Sequence, residues 1–228
     1  LRRAEVSGYP DVILYANHES SNVLLDLARI ETRSEVKKRL LEEALERKNE
    51  VIRIIEKLEP FQLWGRGVMQ VTLAWIKYEL ADLVKDSETK KNILQEAILT
   101  LGNGLKLCIE ELRVNEKQFP GASWSVGYNQ YLTGVWLNHL YELTSRKEEL
   151  REAANSFTEA TESYQKVDAK SCVAESQWKV AQIYDILGDH LKAAEDFELA
   201  SDNNRSVSER VPQLKDFYQE HASYMQAW

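Results

Sequence analysis

One eleven-residue pattern occurs twice in this chain at a spacing of sixty residues: Pro60-x3-Trp64-x2-Gly67-x2-Gln70 and Pro120-x3-Trp124-x2-Gly127-x2-Gln130. Four matches at one offset, including both Pro and Trp, restrict the chain to a fold built from repeated units. Each copy opens a stretch with helical spacing that closes on Tyr-Glu-Leu, at Tyr78–Leu80 and Tyr141–Leu143. That second offset is 63, so a small insertion lies in the later copy. A partner series aligns on alanine: Leu41-Glu42-Glu43-Ala44, Leu94-Gln95-Glu96-Ala97, Leu150-Arg151-Glu152-Ala153 and Lys192-Ala193. The expected organisation is all-α, a single domain over 1–228, with helix pairs near 10–59, 60–117, 120–167 and 170–203 and a capping helix over 207–228.

The last pair is the shortest and most regular. In Ala174–Ala200, Trp178, Ala181 and Tyr184 share one side of a first helix, Gly188-Asp189 breaks it, and Ala193, Phe197 and Ala200 share one side of a second. Small residues every three or four positions let helix backbones approach, and aromatics fill the remaining space. This stretch resembles a tetratricopeptide (TPR) repeat in its order of Trp, small residue, Tyr, turn Gly, then Ala, Phe and Ala. The resemblance implies a right-handed α-α superhelix of about four helix pairs whose first helices line a concave, protein- or peptide-binding face. The earlier units have longer helices, as in SNAP-type adaptors and the sensor regions of large signalling ATPases of STAND type.

Local signals fill in the remaining elements. A helix begins near Pro10 and carries Val12, Leu14, Tyr15, Val23, Leu24, Leu27 and Ile30, with a break expected near Glu19-Ser20-Ser21. Thr32-Arg33-Ser34-Glu35 has the form of a capping box. Ser34-x-x-Lys37 and Ser87-x-x-Lys90 match a pattern of penicillin-binding enzymes, but each stands where a helix starts, and Ser is a preferred N-cap. The C-terminal stretch Val211–Trp228 reads as an amphipathic lid using Leu214, Phe217, Tyr218 and Met225, or as the start of a further unit. The opening Leu1-Arg2-Arg3 lacks a Met, which suggests a piece of a longer protein.

Chemistry-bearing constellations are absent from the sequence. His18, His139, His190 and His221 form no Glu-x-x-His or His-x-x-x-His pair, and Cys108 and Cys172 have no CxxC partner. No catalytic residue, metal or other cofactor is expected, and the chain is read as no enzyme. With 29 Lys and Arg against 37 Asp and Glu, the net charge of −8 disfavours nucleic acid or an anionic membrane as partner. Two cysteines in 228 residues fit a reducing, cytoplasmic setting, although a single disulfide stays compatible with them. Mixed-sign runs at Arg33–Arg39, Glu42–Glu50 and Arg146–Glu152 read as solvated helix faces.

The most unusual stretch is Gln118–Tyr141, 24 residues without Asp, Glu, Lys or Arg in a chain that is 29% charged. On a helix, Trp124, Tyr128, Tyr131 and Val135 fall on one face, and Val126, Trp136, Leu137 and Leu140 on the other. Such a helix is either sandwiched in a core or presents uncharged hydrogen bonds and stacking faces to a ligand. The binding candidates on it are Tyr128, Asn129, Gln130, Asn138 and His139. On the first helix of the last pair they are Trp178, Gln182 and Asp185. Glu175 on that same side would repel a carboxylate, so a chaperone-type C-terminal carboxylate is not the expected partner. The expected role is a non-catalytic protein- or peptide-binding scaffold. A partner-sensing regulatory domain of a larger signalling protein is the alternative, and an all-helical enzyme the third reading.

Overall fold

The computed structural model describes residues 10–57, 63–115 and 122–227, and these are almost wholly helical. The chain forms two compact units, Leu1–Glu116 and Lys117–Trp228. In the first, α1 (Pro10–Ile30) pairs with α2 (Ser34–Lys57), and α3 (Leu63–Leu83) with α4 (Ser87–Asn115). In the second, α5 (Ala122–Thr144) pairs with α6 (Lys147–Gln165), and α7 (Lys170–Leu187) with α8 (His190–Arg210). A short 3-10 turn, Pro212–Leu214, leads into α9 (Lys215–Gln226), which packs on α8. Each unit is thus an all-α stack of helix pairs in which neighbours in sequence are neighbours in space.

The repeated Trp-x2-Gly motif has a packing reason. A methyl group added at Gly67 would lie 2.5 Å from Cys108 Sγ and 2.7 Å from the Gly104 carbonyl oxygen. One added at Gly104 would lie 2.8 Å from the Gly67 carbonyl oxygen. The α3 and α4 backbones therefore touch, which only glycine allows. Gly127, the equivalent position sixty residues on, faces Ser163 and the Tyr164 ring of α6. Pro60 and Pro120, which open the two copies, lie outside the described residues, as does the Trp64 side chain.

Helix α1 runs unbroken through Ser20-Ser21, because the Ser21 hydroxyl donates to the Ala44 carbonyl oxygen of α2 at 2.9 Å. Its core face is Leu14, Asn17, Ser21, Leu25 and Ala28, whereas Tyr15, Val23, Leu27 and Ile30 are exposed. Ser21 is therefore a contact residue and not a breaker. The expected Thr32–Glu35 capping box is replaced one residue earlier. Glu31 accepts from the Arg33 backbone N–H at 2.9 Å and from its guanidinium, which holds the Glu31 carboxyl down at about 2. At the start of α4 the cap is Asp86 instead of Ser87. Its carboxylate accepts from the Thr89 N–H at 2.8 Å and the Thr89 hydroxyl at 2.6 Å. A carboxylate serves the helix dipole better than a hydroxyl.

Inside the first pair lies a polar cluster. Lys48, 0% exposed, has its Nζ 2.8 Å from His18 Nδ1 and 3.1 Å from Asn22 Oδ1, and Asn22 Nδ2 is 3.3 Å from His18 Nε2. Between α1 and α3, Glu79 of the first Tyr-Glu-Leu takes Arg29 at 3.4 Å, and it takes Lys37 of α2 at 3.0 Å. Arg29 also stacks over Trp75.

The lid helix α9 differs from its expected register. Ala222 and Met225 are its buried residues, with Tyr218 and His221 half-buried, while Leu214 and Phe217 face solvent. The reason lies on α8, whose contact face is small and polar. Ser201 donates to the Ala222 carbonyl oxygen at 3.0 Å, and Asn204 Nδ2 contacts Met225 Sδ at 3.1 Å. A bulky aromatic has no room there.

The turn at Gly188 is of Schellman type: the Asp189 N–H donates to Tyr184 O and the Gly188 N–H to Asp185 O, with Gly188 at φ +88°. Asp168 closes α6 in the same way at φ +52°, with the Ala169 N–H on Tyr164 O. A methyl group at Gly188 or at mid-helix Gly102 would meet nothing within 4 Å. Gly188→Ala is therefore expected to cost about 1 kcal/mol through backbone conformation alone. Gly102→Ala is expected to gain about 1 kcal/mol through helix propensity. Paired urea titrations of the two variants should move in opposite directions.

Candidate functional site

Helix α5, uncharged up to Tyr141, uses its two faces differently. Val126, Trp136, Leu137 and Leu140 are buried, as is Gln130, whose amide is committed within the pair. The Ser163 hydroxyl donates to Gln130 Oε1 at 2.7 Å, and Gln130 Nε2 donates to Glu159 at 3.3 Å. The opposite face, Trp124, Tyr128 and Tyr131, is open enough to line a cavity. Trp124 is 45% exposed and Tyr128 36%, and their rings stack at 5.5 Å, nearly parallel. Trp124 also meets Tyr164 edge-on at 6.4 Å.

This cavity, about 290 Å³, lies between α5, α6 and α7 and is walled by Trp124, Tyr128, Tyr131, Tyr164, Ser171, Cys172 and Glu175. Each wall residue is placed by the fold. Trp124, Tyr128 and Tyr131 are spaced four and three apart on α5, one above the next. Tyr164 comes from the last turn of α6, and Glu175 from the second turn of α7. The Tyr131 hydroxyl donates to Glu175 Oε1 at 3.1 Å, tying the first helices of successive pairs together. Burial, and next the Glu175 carboxylate, raise the Tyr131 phenol well above its usual range; burial does the same for Tyr164. Tyr131 thus stays a hydrogen-bond donor to the carboxylate at any ordinary pH.

The sequence candidates do not converge on one spot. Tyr128 lines the cavity. Asn129 donates to the Ser125 carbonyl oxygen of its own helix at 2.8 Å, and Gln130 turns into the α5–α6 interface. Asn138 and His139 are half-buried further along α5, with Asn138 Oδ1 buried and unpaired. Trp178 is half-buried against Ala181, Ala193, Phe197 and Tyr184, and meets the Tyr224 ring of α9 at 5.9 Å. Gln182 is half-buried one turn on. Asp185 is exposed at the helix end and pairs with His190 Nδ1 at 2.7 Å. The wall residues outside the candidate set are Trp124, Tyr131, Tyr164, Ser171, Cys172 and Glu175. The Trp124–Tyr128–Tyr131 spacing signalled the first two; Tyr164 and Glu175 arrive only through the packing of α6 and α7.

Neither cysteine is in a disulfide; Cys108 is buried and Cys172 lies on the cavity wall. Among the described residues no cluster of three His, Cys, Asp or Glu is placed to hold a metal ion. Among the same residues no helix is long and apolar enough to cross a membrane.

No family model matches the chain, and no curated protein matches it. Among solved structures it is similar to the DHF79 filament at 18% identity, covering 94% of this chain and 97% of that one, with a TM-score of 0.40. It is similar to the DHF58 filament at 18% identity, covering 94% and 92%, with a TM-score of 0.39.

Proposed function

We propose that this protein is a non-catalytic, peptide-binding helical-repeat module of tetratricopeptide type, and that the aromatic cavity of its second unit receives a side chain of the partner. The observation that supports this reading is the cavity itself. Aromatic rings from consecutive helices surround an open apolar space with one carboxylate at its wall, a composition typical of recognition sites. The partner is a protein or peptide and not a nucleic acid or a membrane surface, in keeping with a net charge of −8. A cytoplasmic setting fits two cysteines that form no disulfide.

A display library of peptides selected on the intact chain tests the reading. Selected peptides are expected to quench or shift the fluorescence of Trp124 and to lose about tenfold or more in affinity on Trp124→Ala, a partly exposed position whose truncation leaves the fold intact. Peptides that bind the Trp124→Ala protein as tightly as the parent would place recognition elsewhere and overturn the assignment.

A further inference from the structure

We infer that the cavity selects a quaternary ammonium group, the head of a trimethylated lysine side chain in the bound peptide. This rests on the peptide-binding reading above and specifies what the pocket takes. Three observations carry it. First, four aromatic residues, Trp124, Tyr128, Tyr131 and Tyr164, line one space, and aromatic rings attract cations through their quadrupole. Second, Glu175 supplies a formal negative charge at the wall, and Tyr131 is its only hydrogen-bond partner among the described residues. The two cations of its own helix are engaged elsewhere, Lys170 on Ser206 and Lys179 over the Trp178 ring. Third, the unit that holds the cavity carries most of the acidity, with 11 Lys and Arg against 17 Asp and Glu over 117–228, a net −6 of the total −8.

The donor inventory decides among cations. An unmodified lysine brings three N–H donors and an arginine five, all of which lose water on entering. The wall offers one free carboxylate oxygen and the Ser171 hydroxyl, and otherwise ring carbon, the Cys172 sulfur and phenol groups, which leaves several of those donors unsatisfied at considerable cost. A trimethylammonium head has no N–H to satisfy, spreads its charge over methyl groups, and suits an apolar wall with one anion.

The test uses the intact chain and defined probes, followed by tryptophan fluorescence and by NMR of methyl and ring signals. Choline is compared with 3,3-dimethyl-1-butanol, its neutral analogue of the same shape. A trimethyllysine peptide from the selection above is compared with its unmethylated form. Choline is expected to bind at least about tenfold tighter than the neutral alcohol. The trimethyllysine peptide should exceed its unmethylated form by a similar factor. Trp124→Ala and Glu175→Gln should each erase most of that preference, the latter while keeping an acceptor for Tyr131. Equal binding of choline and the alcohol, or no binding of either at millimolar concentration, overturns the inference. If choline binds selectively while no peptide does, the cation site stands and the peptide reading falls. If peptides bind through Trp124 with no preference for methylation, the peptide reading stands and the cation site falls.

Discussion

Phe157→Ala is expected to lower the stability of the second unit by about 3–5 kcal/mol, seen as a fall in its urea midpoint without loss of helix content in water. The ring is 0% exposed and lies flat over Gly134, so that a methyl added there would come within 2.8 Å of three ring carbons. Gly134 has no side chain to move into the vacated volume, so the cavity left behind stays open. The ring also supports Tyr131 edge-on at 5.1 Å, and Tyr131 in turn holds Glu175. The loss should therefore reach the aromatic cavity as well as the core. The second-site change Gly134→Ala discriminates the cause. In the Phe157→Ala background it should recover about 1 kcal/mol, because the methyl then has room and the helix gains propensity. In the parent protein it should destabilise through overpacking. Equal effects in both backgrounds would rule out the ring-on-glycine contact as the origin.

The second large effect is a pH dependence confined to the first unit. Burial lowers the Lys48 ammonium from 10.5 to about 8. The cluster geometry gives the same direction. With Lys48 neutral, His18 Nδ1–H donates to Nζ, Asn22 Nδ2–H donates to His18 Nε2, and Nζ–H donates to Asn22 Oδ1, closing a ring. With Lys48 charged, His18 Nδ1 must accept, its proton moves to Nε2, and that N–H faces the amide N–H of Asn22. Between pH 8 and 10.5 the unfolded chain holds a proton that the folded chain has released, so stability rises with pH, by about 3 kcal/mol over the whole interval.

Cys108 opposes this from α4: burial pushes its thiol up to about 12 from 9, so the unfolded chain loses that proton first and stability falls above pH 9. The net expectation is a rise of about 1 kcal/mol from pH 8 to 9, a plateau to about 10.5, and a fall beyond. His18, lowered by burial and by Lys48, adds a separate gain as pH climbs toward 6.5. In the second unit the raised phenols of Tyr131 and Tyr164 give only a loss above pH 10. Urea unfolding at pH 8 and 9 should show the gain in the parent protein and its absence in Lys48→Met. A gain that survives in that variant would assign it to another group.

The pairing of helices was legible because its cause is local. Apolar spacing, the Tyr-Glu-Leu ends and the Gly188-Asp189 turn all act within a few residues of one another. The faces were harder to read wherever a neighbour decides them. Phe217 and Leu214 have the hydrophobicity of a core and point outward, since α8 offers Ser201 and Asn204 to that helix. Ser21 has the polarity of a break and is buried, since Ala44 O lies opposite. Gln130 was placed on a binding surface with Tyr128, yet two positions along a helix turn a side chain to another face, and Ser163 was there to take it. Three of the wall residues lie on α5, within its charge-free stretch. The others, Tyr164, Ser171, Cys172 and Glu175, depend on how two later helices lie against it, and no spacing within one segment carries that information.

The Arg29–Glu79 contact joins residues 50 apart, and the Tyr131–Glu175 contact residues 44 apart. Contacts of such short reach require little loop closure before they reward it, so each unit should form within milliseconds or faster, hairpin by hairpin, with no long-range pairing as a bottleneck. A chain of this kind can begin to acquire its structure while its later segments are still being synthesised.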